Sequence, residues 1–184
     1  MKKYTRNIAL IAFMAIFIAV SSWIAIPMVV SFTMQTFAIF FALRLLGGKK
    51  GLIAIVLYIL LGVIGLPVFA NFKSGLGVLV GPTGGYIWGF VACALIYMIF
   101  ERFLDNKLVL YSVMFGGLII CYLLGTVWFV FVMGRDGKSI SFIEGLLLCV
   151  VPFIIPDVIK IILANVLAEK VLSIIMPNKE LITK

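Results

Sequence analysis

An acid and a base lie three residues apart inside an apolar run of the sequence, PFIIPDVIKIILANVLA. Asp157 and Lys160 are the only acid and base that sit well inside such a run. A charge at the centre of a bilayer costs about 3 kcal/mol on insertion scales, so such residues usually face a cavity or a partner. The i to i+3 spacing places both on one face of a helix. One acceptor and one cation suit a small ligand with amide-like donors and a carboxylate.

Two interpretations of this pair stay open. In the first, Asp157 and Lys160 form a structural ion pair that holds the last helix in a bundle. In the second, both face a ligand, and Pro156 favours this because its missing backbone donor would open the helix beside Asp157. Pro152 and Pro156 together predict a kink. Asn165 falls near the same face, and we expect it to form a hydrogen bond between helices.

The stretch from Gly65 to Gly85, GLPVFANFKSGLGVLVGPTGG, is too rich in glycine for a helix and too apolar for an ordinary exposed loop. Non-helical backbone at membrane depth is tolerated only where protein buries it or where it lines a cavity. We therefore expect it to cap a pocket, together with the uncharged segment 26–35. The candidate ligand-binding residues here are Asn71, Lys73, Tyr86, Gly84, Gly85 and, at the start of the second span, Gln35.

The elements that position these residues are predicted to be membrane helices. The chain has 184 residues, of which 65% are hydrophobic and 12% charged, about half the charged share of a soluble domain. A spanning helix needs about 20 apolar residues, which leaves room for about six. The sequence thus predicts an all-α integral membrane protein in one transmembrane domain, 1–184. The six predicted spans are 7–26, 33–46, 51–66, 83–101, 108–132 and 142–174.

The distribution of Lys and Arg predicts the orientation of these spans. With a cytoplasmic N-terminus, eleven of the fifteen basic residues fall on the cytoplasmic side, three on the opposite side and one within the last span. The positive-inside rule therefore favours six spans with both termini cytoplasmic. The basic residues form short clusters between apolar runs and no stripe with interleaved aromatics, so the net charge of +8 does not indicate nucleic-acid binding.

Several kinds of chemistry lack the residues they need. Histidine is absent, which excludes histidine-based triads and histidine-ligated zinc. The cysteines are widely spaced in apolar runs and are expected to be small core residues, with no metal site and no redox pair: Cys93, Cys121 and Cys149. No nucleotide-binding motif occurs, so ATP-driven transport would need a partner that hydrolyses ATP. An enzyme is therefore the least favoured class.

Two small residues on the first span are candidates for contact with another protein. Ala15 and Ala19 form an AxxxA pair, and small residues four apart let a second helix approach closely in a membrane. The pair predicts a docking face on this helix.

The segments SFTMQTFAI, LLGGKKGLIAIVLYILLGVIGLPVFA, GLGVLVGPTGGYIWGF and PFIIPDVIKIILA, in this order, resemble the BioY family. Members of this family are the biotin-specific S components of energy-coupling factor (ECF) transporters. The resemblance extends from about Ala9 to Ala168, and GLPVF and GPTGGY are its most specific parts. The segment ANFKSGLG departs from the more uniformly glycine-rich run of many members.

The resemblance implies a function and a set of partners. It implies six helices in the bacterial cytoplasmic membrane, in contact with lipid, and a biotin site near the extracellular side that needs no cofactor. It also implies a membrane T component and two ATP-binding-cassette ATPases that drive uptake. Asp157 and Lys160 match the family's ligand-binding pair, although which of them meets which end of biotin stays open. Ala15 and Ala19 match its T-component contact.

Two other functions remain as alternatives. A stand-alone secondary transporter would use Asp157 as a proton carrier and would need no ATPase. A structural membrane subunit would use Asp157 and Lys160 only to pair with each other, and their joint neutralisation would be tolerated.

Overall fold

The computed structural model describes residues 2–138 and 140–175, and their fold is a bundle of helices. Lys179 and Lys184, which contribute to the predicted charge asymmetry, lie outside the described residues. The α-helices in the described part are α1 (Lys2–Trp23), α2 (Gln35–Leu46), α3 (Gly48–Val63), α4 (Leu76–Val80), α5 (Gly84–Phe100), α6 (Lys107–Arg135), α7 (Phe142–Cys149) and α8 (Ile154–Ile175). Two short strands, β1 (Ala25–Ile26) and β2 (Phe32–Thr33), pair antiparallel between α1 and α2.

The longer helices are suited to a bilayer. Within the described residues, four helical stretches are long and apolar enough to cross a membrane: Tyr4–Trp23, Gly84–Phe103, Lys107–Arg135 and Phe142–Ile174. Their outward faces carry exposed large apolar side chains such as Phe13 and Phe131, which are 59% and 63% exposed. Lipid is the solvent that accepts such a surface. Helices α2 and α3, with 12 and 16 residues, are shorter than the roughly 20 of an ideal span. The chain is a multi-pass membrane protein.

The last predicted span, 142–174, is broken into α7 and α8. A short 3₁₀ turn, Val151–Phe153, separates the two helices, and Pro152 lies within it. Pro156 is the third residue of α8, where the backbone N–H of any residue would lack an intrahelical partner. The predicted kink is therefore present at Pro152, whereas the predicted opening of the helix at Pro156 is wrong. Asp157 is consequently in the first turn of a regular helix.

Helices α2 and α3 meet at a tight turn that the end of α5 stabilises. Gly47 has a φ of +81°, a left-handed conformation that favours glycine, and α3 begins immediately after it. The carboxylate of Glu101 accepts a hydrogen bond from the backbone N–H of Gly48 at 3.1 Å. An acidic group at a helix N-terminus satisfies a free donor and interacts favourably with the helix dipole.

Replacing Glu101 with alanine is expected to lower the stability of the purified chain by about 1 kcal/mol, because the first turn of α3 loses this cap. The measurement is thermal unfolding in detergent. Asp105→Ala is the matched control, because Asp105 is an exposed acid in the same connection and makes no such contact in the described part of the chain. Equal melting temperatures for the two variants would contradict the capping role.

Candidate ligand-binding cavity

A cavity of about 180 Å³ lies where α2, α3, α5, α6 and α8 meet the two irregular segments, and its walls combine aromatic and polar side chains. Such a mixture, apolar walls with a few placed polar groups, is typical of small-molecule sites. The polar side chains on its walls are Ser31, Thr33, Gln35, Thr36, Tyr58, Asn71, Lys73, Thr83, Tyr86, Tyr122, Asp157 and Lys160.

Asp157 and Lys160 form an ion pair on the wall that α8 contributes. The distance between Lys160 Nζ and Asp157 Oδ1 is 2.8 Å, and each residue is 5% exposed. Lys160 Nζ also donates a hydrogen bond to the carbonyl oxygen of Thr33 at 2.7 Å, and it lies 3.7 Å from the centre of the Phe32 ring. The ammonium group therefore neutralises Asp157 and holds β2 against α8. A buried pair of this kind is expensive to break by removal of one partner.

Tyr122 is a further partner of Asp157, and sequence reasoning missed it. Its hydroxyl group donates a hydrogen bond to Asp157 Oδ2 at 2.6 Å, from near the middle of α6. The two carboxylate oxygens thus each have a partner, yet a carboxylate offers about four acceptor positions, so both can accept further donors from a ligand. The available signal was a tyrosine far from either end of a long apolar helix, where its hydroxyl needs a partner.

Gln35 and Tyr58 supply a second polar group on the cavity wall. The amide of Gln35 donates a hydrogen bond to the hydroxyl oxygen of Tyr58 at 2.9 Å, and Tyr58 is fully buried. Tyr58 packs edge-on against Phe69, with ring centres 5.6 Å apart. This contact connects α3 to the glycine-rich segment, so the position of the amide group depends on how that segment folds.

Two segments, 25–33 and 65–83, cover the cavity, and we call them together the cap. They contact each other through Asn71, whose side-chain amide donates to Ser31 Oγ at 2.8 Å. The ring of Phe72 stacks on Trp23 at 5.2 Å between centres, and Trp23 Nε1 donates to the carbonyl oxygen of Pro67 at 2.8 Å. Both segments expected to cap a pocket therefore cover the cavity, and they are held to each other and to the end of α1. The expectation that 65–85 contains no helix is wrong, because Leu76–Val80 form α4.

The structure brings six of the eight sequence-predicted candidates to this one cavity. Those on its walls are Asp157, Lys160, Asn71, Lys73, Tyr86 and Gln35. Tyr86 reaches it from α5, and its hydroxyl group shares a hydrogen bond of 3.2 Å with Thr126 Oγ1.

Gly84 and Gly85 are not on the cavity wall, which corrects the prediction for these two residues. A Cβ atom at Gly84 would collide with the backbone of Leu79, and one at Gly85 with the side chain of Trp128. Both glycines therefore permit close packing of α5 against α4 and α6.

Asn165 lies away from the cavity, in a polar network that includes the C-terminal end of α2. Its side-chain oxygen accepts from Arg44 Nε at 2.9 Å, and its amide donates to the hydroxyl oxygen of Tyr111 at 2.9 Å. Arg44 also pairs with Glu169 at 3.4 Å. The prediction of a hydrogen bond between helices is confirmed, and this network is a second ion-pair site that is independent of Asp157.

The docking face predicted on α1 is covered by the rest of the chain. Ala15 and Ala19 are 0% and 4% exposed, because α1 packs with this side against α2 and α3. In this conformation neither residue is accessible to a second protein, so the prediction is not supported. The three cysteines are free and buried, as expected for core residues, and Cys121 and Cys149 also line the cavity.

Comparison with known proteins identifies the family. The family model described as "BioY family" matches residues 1–176. The chain belongs to the BioY family. The biotin transporter BioY of Thermotoga maritima is 40% identical over 152 residues, which are 82% of this chain and 86% of that protein. The probable biotin transporter BioY of Pyrococcus horikoshii is 33% identical over 166 residues, 90% of this chain and 95% of that protein.

The fold of this BioY-family chain is similar to a solved structure. The crystal structure at 2.1 Å of the S-component for biotin from an ECF-type ABC transporter has a TM-score of 0.81 and 27% sequence identity to it. The match covers 92% of each chain. The resemblance to BioY proteins expected from the sequence motifs is thus confirmed, together with an all-helical fold of the S-component type.

Proposed function

We propose that the chain binds biotin and is the S component of an ECF transporter, in which a membrane T component and two ATPases supply the energy. The observation that carries this proposal is the buried Asp157–Lys160 pair on the wall of a capped cavity. The names of the relatives support biotin as the ligand. In this proposal the chain does no covalent chemistry and needs no cofactor.

The spacing of the polar groups favours one orientation of biotin. Biotin has a ureido ring, with two N–H donors and a carbonyl acceptor, at one end and a carboxylate at the other. Since Asp157 and Lys160 are paired at 2.8 Å, they cannot contact both ends of an extended molecule. We assign them to the ureido ring: Asp157 accepts from its N–H groups, and Lys160 donates to its carbonyl oxygen. The carboxylate then lies towards the cap, on the side of Asn71.

The proposed topology has six passages, with both termini cytoplasmic and the cap facing outwards. In this count α7 and α8 form one broken passage, and the short helices α2 and α3 each cross the membrane within the bundle. The excess of Lys and Arg on the opposite side from the cap supports this orientation. A partner contact at Ala15 and Ala19 would require the core around α1 to open, so we place the T-component contact on the exposed side of α1 that carries Phe13 and Ile16.

Reconstitution into vesicles tests the energy source. Uptake of labelled biotin is expected only when the chain is combined with an ECF module of T component and ATPases and supplied with ATP. The chain alone, under an imposed proton gradient, is expected to bind biotin without accumulating it. Accumulation by the chain alone would favour a secondary transporter and would contradict the ECF assignment.

A further inference from the structure

A shallow groove adjoins the main cavity at the cap, and one cation lies between them. Lys73, Val78 and Thr83 line both the groove and the main cavity. Lys73 is exposed, and its ammonium group has no hydrogen-bond or ion-pair partner within residues 2–138 and 140–175. The groove and the main cavity therefore share a wall, and Lys73 on that wall carries an unpaired positive charge.

The backbone before Lys73 has a conformation that L-residues rarely adopt. Asn71 and Phe72 have φ values of +57° and +58°, in the left-handed region. Such strain persists only where neighbouring contacts enforce it, and it is common at functional sites. Here Asn71 is held by Ser31 and Phe72 by Trp23.

The turn that carries Lys73 is also fixed to the core. The backbone N–H of Phe69 donates to the carbonyl oxygen of Lys73 at 3.0 Å, and the Phe69 side chain is 1% exposed. The position of Lys73 at the junction of groove and cavity is thus imposed by packing, at the cost of two strained residues.

The charges inside the cavity make this cation important for an approaching anion. Asp157 and Lys160 neutralise each other at 2.8 Å, so the pair exerts little net attraction on a distant carboxylate. Lys73 contributes an uncompensated positive charge where the groove adjoins the cavity. In solvent such a charge raises association rates, but because water and salt screen it, it adds little to the stability of the bound state.

We propose that Lys73 and the adjoining groove form a capture site, where the carboxylate of the incoming ligand is held before the ligand enters the main cavity. This inference rests on the proposed function, since it takes a carboxylate-bearing ligand as given. In this role Lys73 raises the rate at which the ligand enters the cavity. It does not stabilise the ligand once it is bound.

Rates of binding of radiolabelled biotin to the full chain in nanodiscs of phosphatidylcholine test this role. At low ionic strength, Lys73→Gln is expected to slow association about three- to tenfold and to change dissociation less than about twofold. Because salt screens the charge, the difference is expected to disappear at about 0.5 M salt. Lys73→Arg is expected to keep the rate of the unsubstituted chain.

Two controls distinguish capture from a general effect of charge or folding. Lys138→Gln removes another exposed cation that is not part of the groove, and it is expected to leave association unchanged. Radiolabelled biotinamide, which lacks the carboxylate, is expected to associate equally fast with the unsubstituted chain and with Lys73→Gln.

Three results would overturn the inference. These are unchanged association of biotin with Lys73→Gln at low salt, equal slowing of biotinamide, and faster dissociation without slower association. A failure of the proposed function would look different, because the unsubstituted chain itself would then not bind biotin.

Discussion

Asp157→Asn is expected to weaken biotin binding at least about a hundredfold. An asparagine presents one acceptor oxygen and directs N–H donors at Lys160 or at the ureido ring, where acceptors are needed. It also leaves the ammonium group of Lys160 buried without its counter-charge, which is strongly destabilising in measured cases. A charge-assisted hydrogen bond is worth about 1.5 to 3 kcal/mol, so its loss alone would weaken binding roughly ten- to hundredfold. Isothermal titration with biotin measures the change.

Glu169→Gln is the matched control for Asp157→Asn. It removes the acidic partner of Arg44, in the other salt bridge on α8, and it lies outside the cavity. Biotin affinity is expected to stay within about twofold in this variant. If Asp157→Asn bound biotin as tightly as the control, the carboxylate would not be a ligand contact.

Tyr122→Phe is expected to weaken biotin binding about ten- to hundredfold without unfolding the chain. The substitution removes only the hydroxyl group that donates to Asp157 Oδ2 at 2.6 Å. A hydrogen bond to a charged group is worth about 1.5 to 3 kcal/mol, and its loss frees the carboxylate to rotate away from the geometry that the ligand needs. The titration is compared with the melting temperature of the same preparation.

Tyr111→Phe provides the control for Tyr122→Phe. The Tyr111 hydroxyl oxygen also takes part in a partly buried hydrogen bond, which it accepts from the amide of Asn165, but it lies outside the cavity. This variant is expected to lose stability and to keep its affinity for biotin. Equal losses of affinity in both variants would mean that Tyr122 acts only through the stability of the bundle.

The Asp157–Lys160 pair was predictable from the sequence because charge inside an apolar run is expensive and must have a partner. The orientation of Tyr122 was not, since a tyrosine in a membrane helix can equally face lipid at the interface. Whether Tyr122 faces Asp157 or lipid depends on which face of α6 packs against α8, and this is decided by tertiary packing.

The cap illustrates the same limit. Its composition predicted a cover over a pocket, because a glycine-rich, apolar stretch does not suit a solvated loop, and that cover is present. The prediction that this stretch is non-helical is wrong for Leu76–Val80, which form α4. The left-handed turn at Asn71 and Phe72 was not predictable, since it depends on Ser31, 40 residues before Asn71, and on Trp23, 49 residues before Phe72.

Local patterns also failed to identify which neighbour a residue contacts. The AxxxA pair of Ala15 and Ala19 correctly indicates close packing, but the partner helices belong to the same chain. Gly84 and Gly85 likewise permit the close approach of α4 and α6, and not of a ligand. For Pro152 and Pro156, the effect on the helix depends on where α8 begins, which periodicity does not reveal.

Equilibrium titration with biotin of the unsubstituted chain and of the double variant Asp157→Asn, Lys160→Met tests the central claim most directly. The double variant keeps both side chains close to their original size and avoids an unpaired charge, so it is expected to fold. We expect saturable binding of one biotin per unsubstituted chain and no detectable binding to the folded double variant. Unimpaired binding to the double variant, or a folded unsubstituted chain that does not bind biotin, would contradict the account.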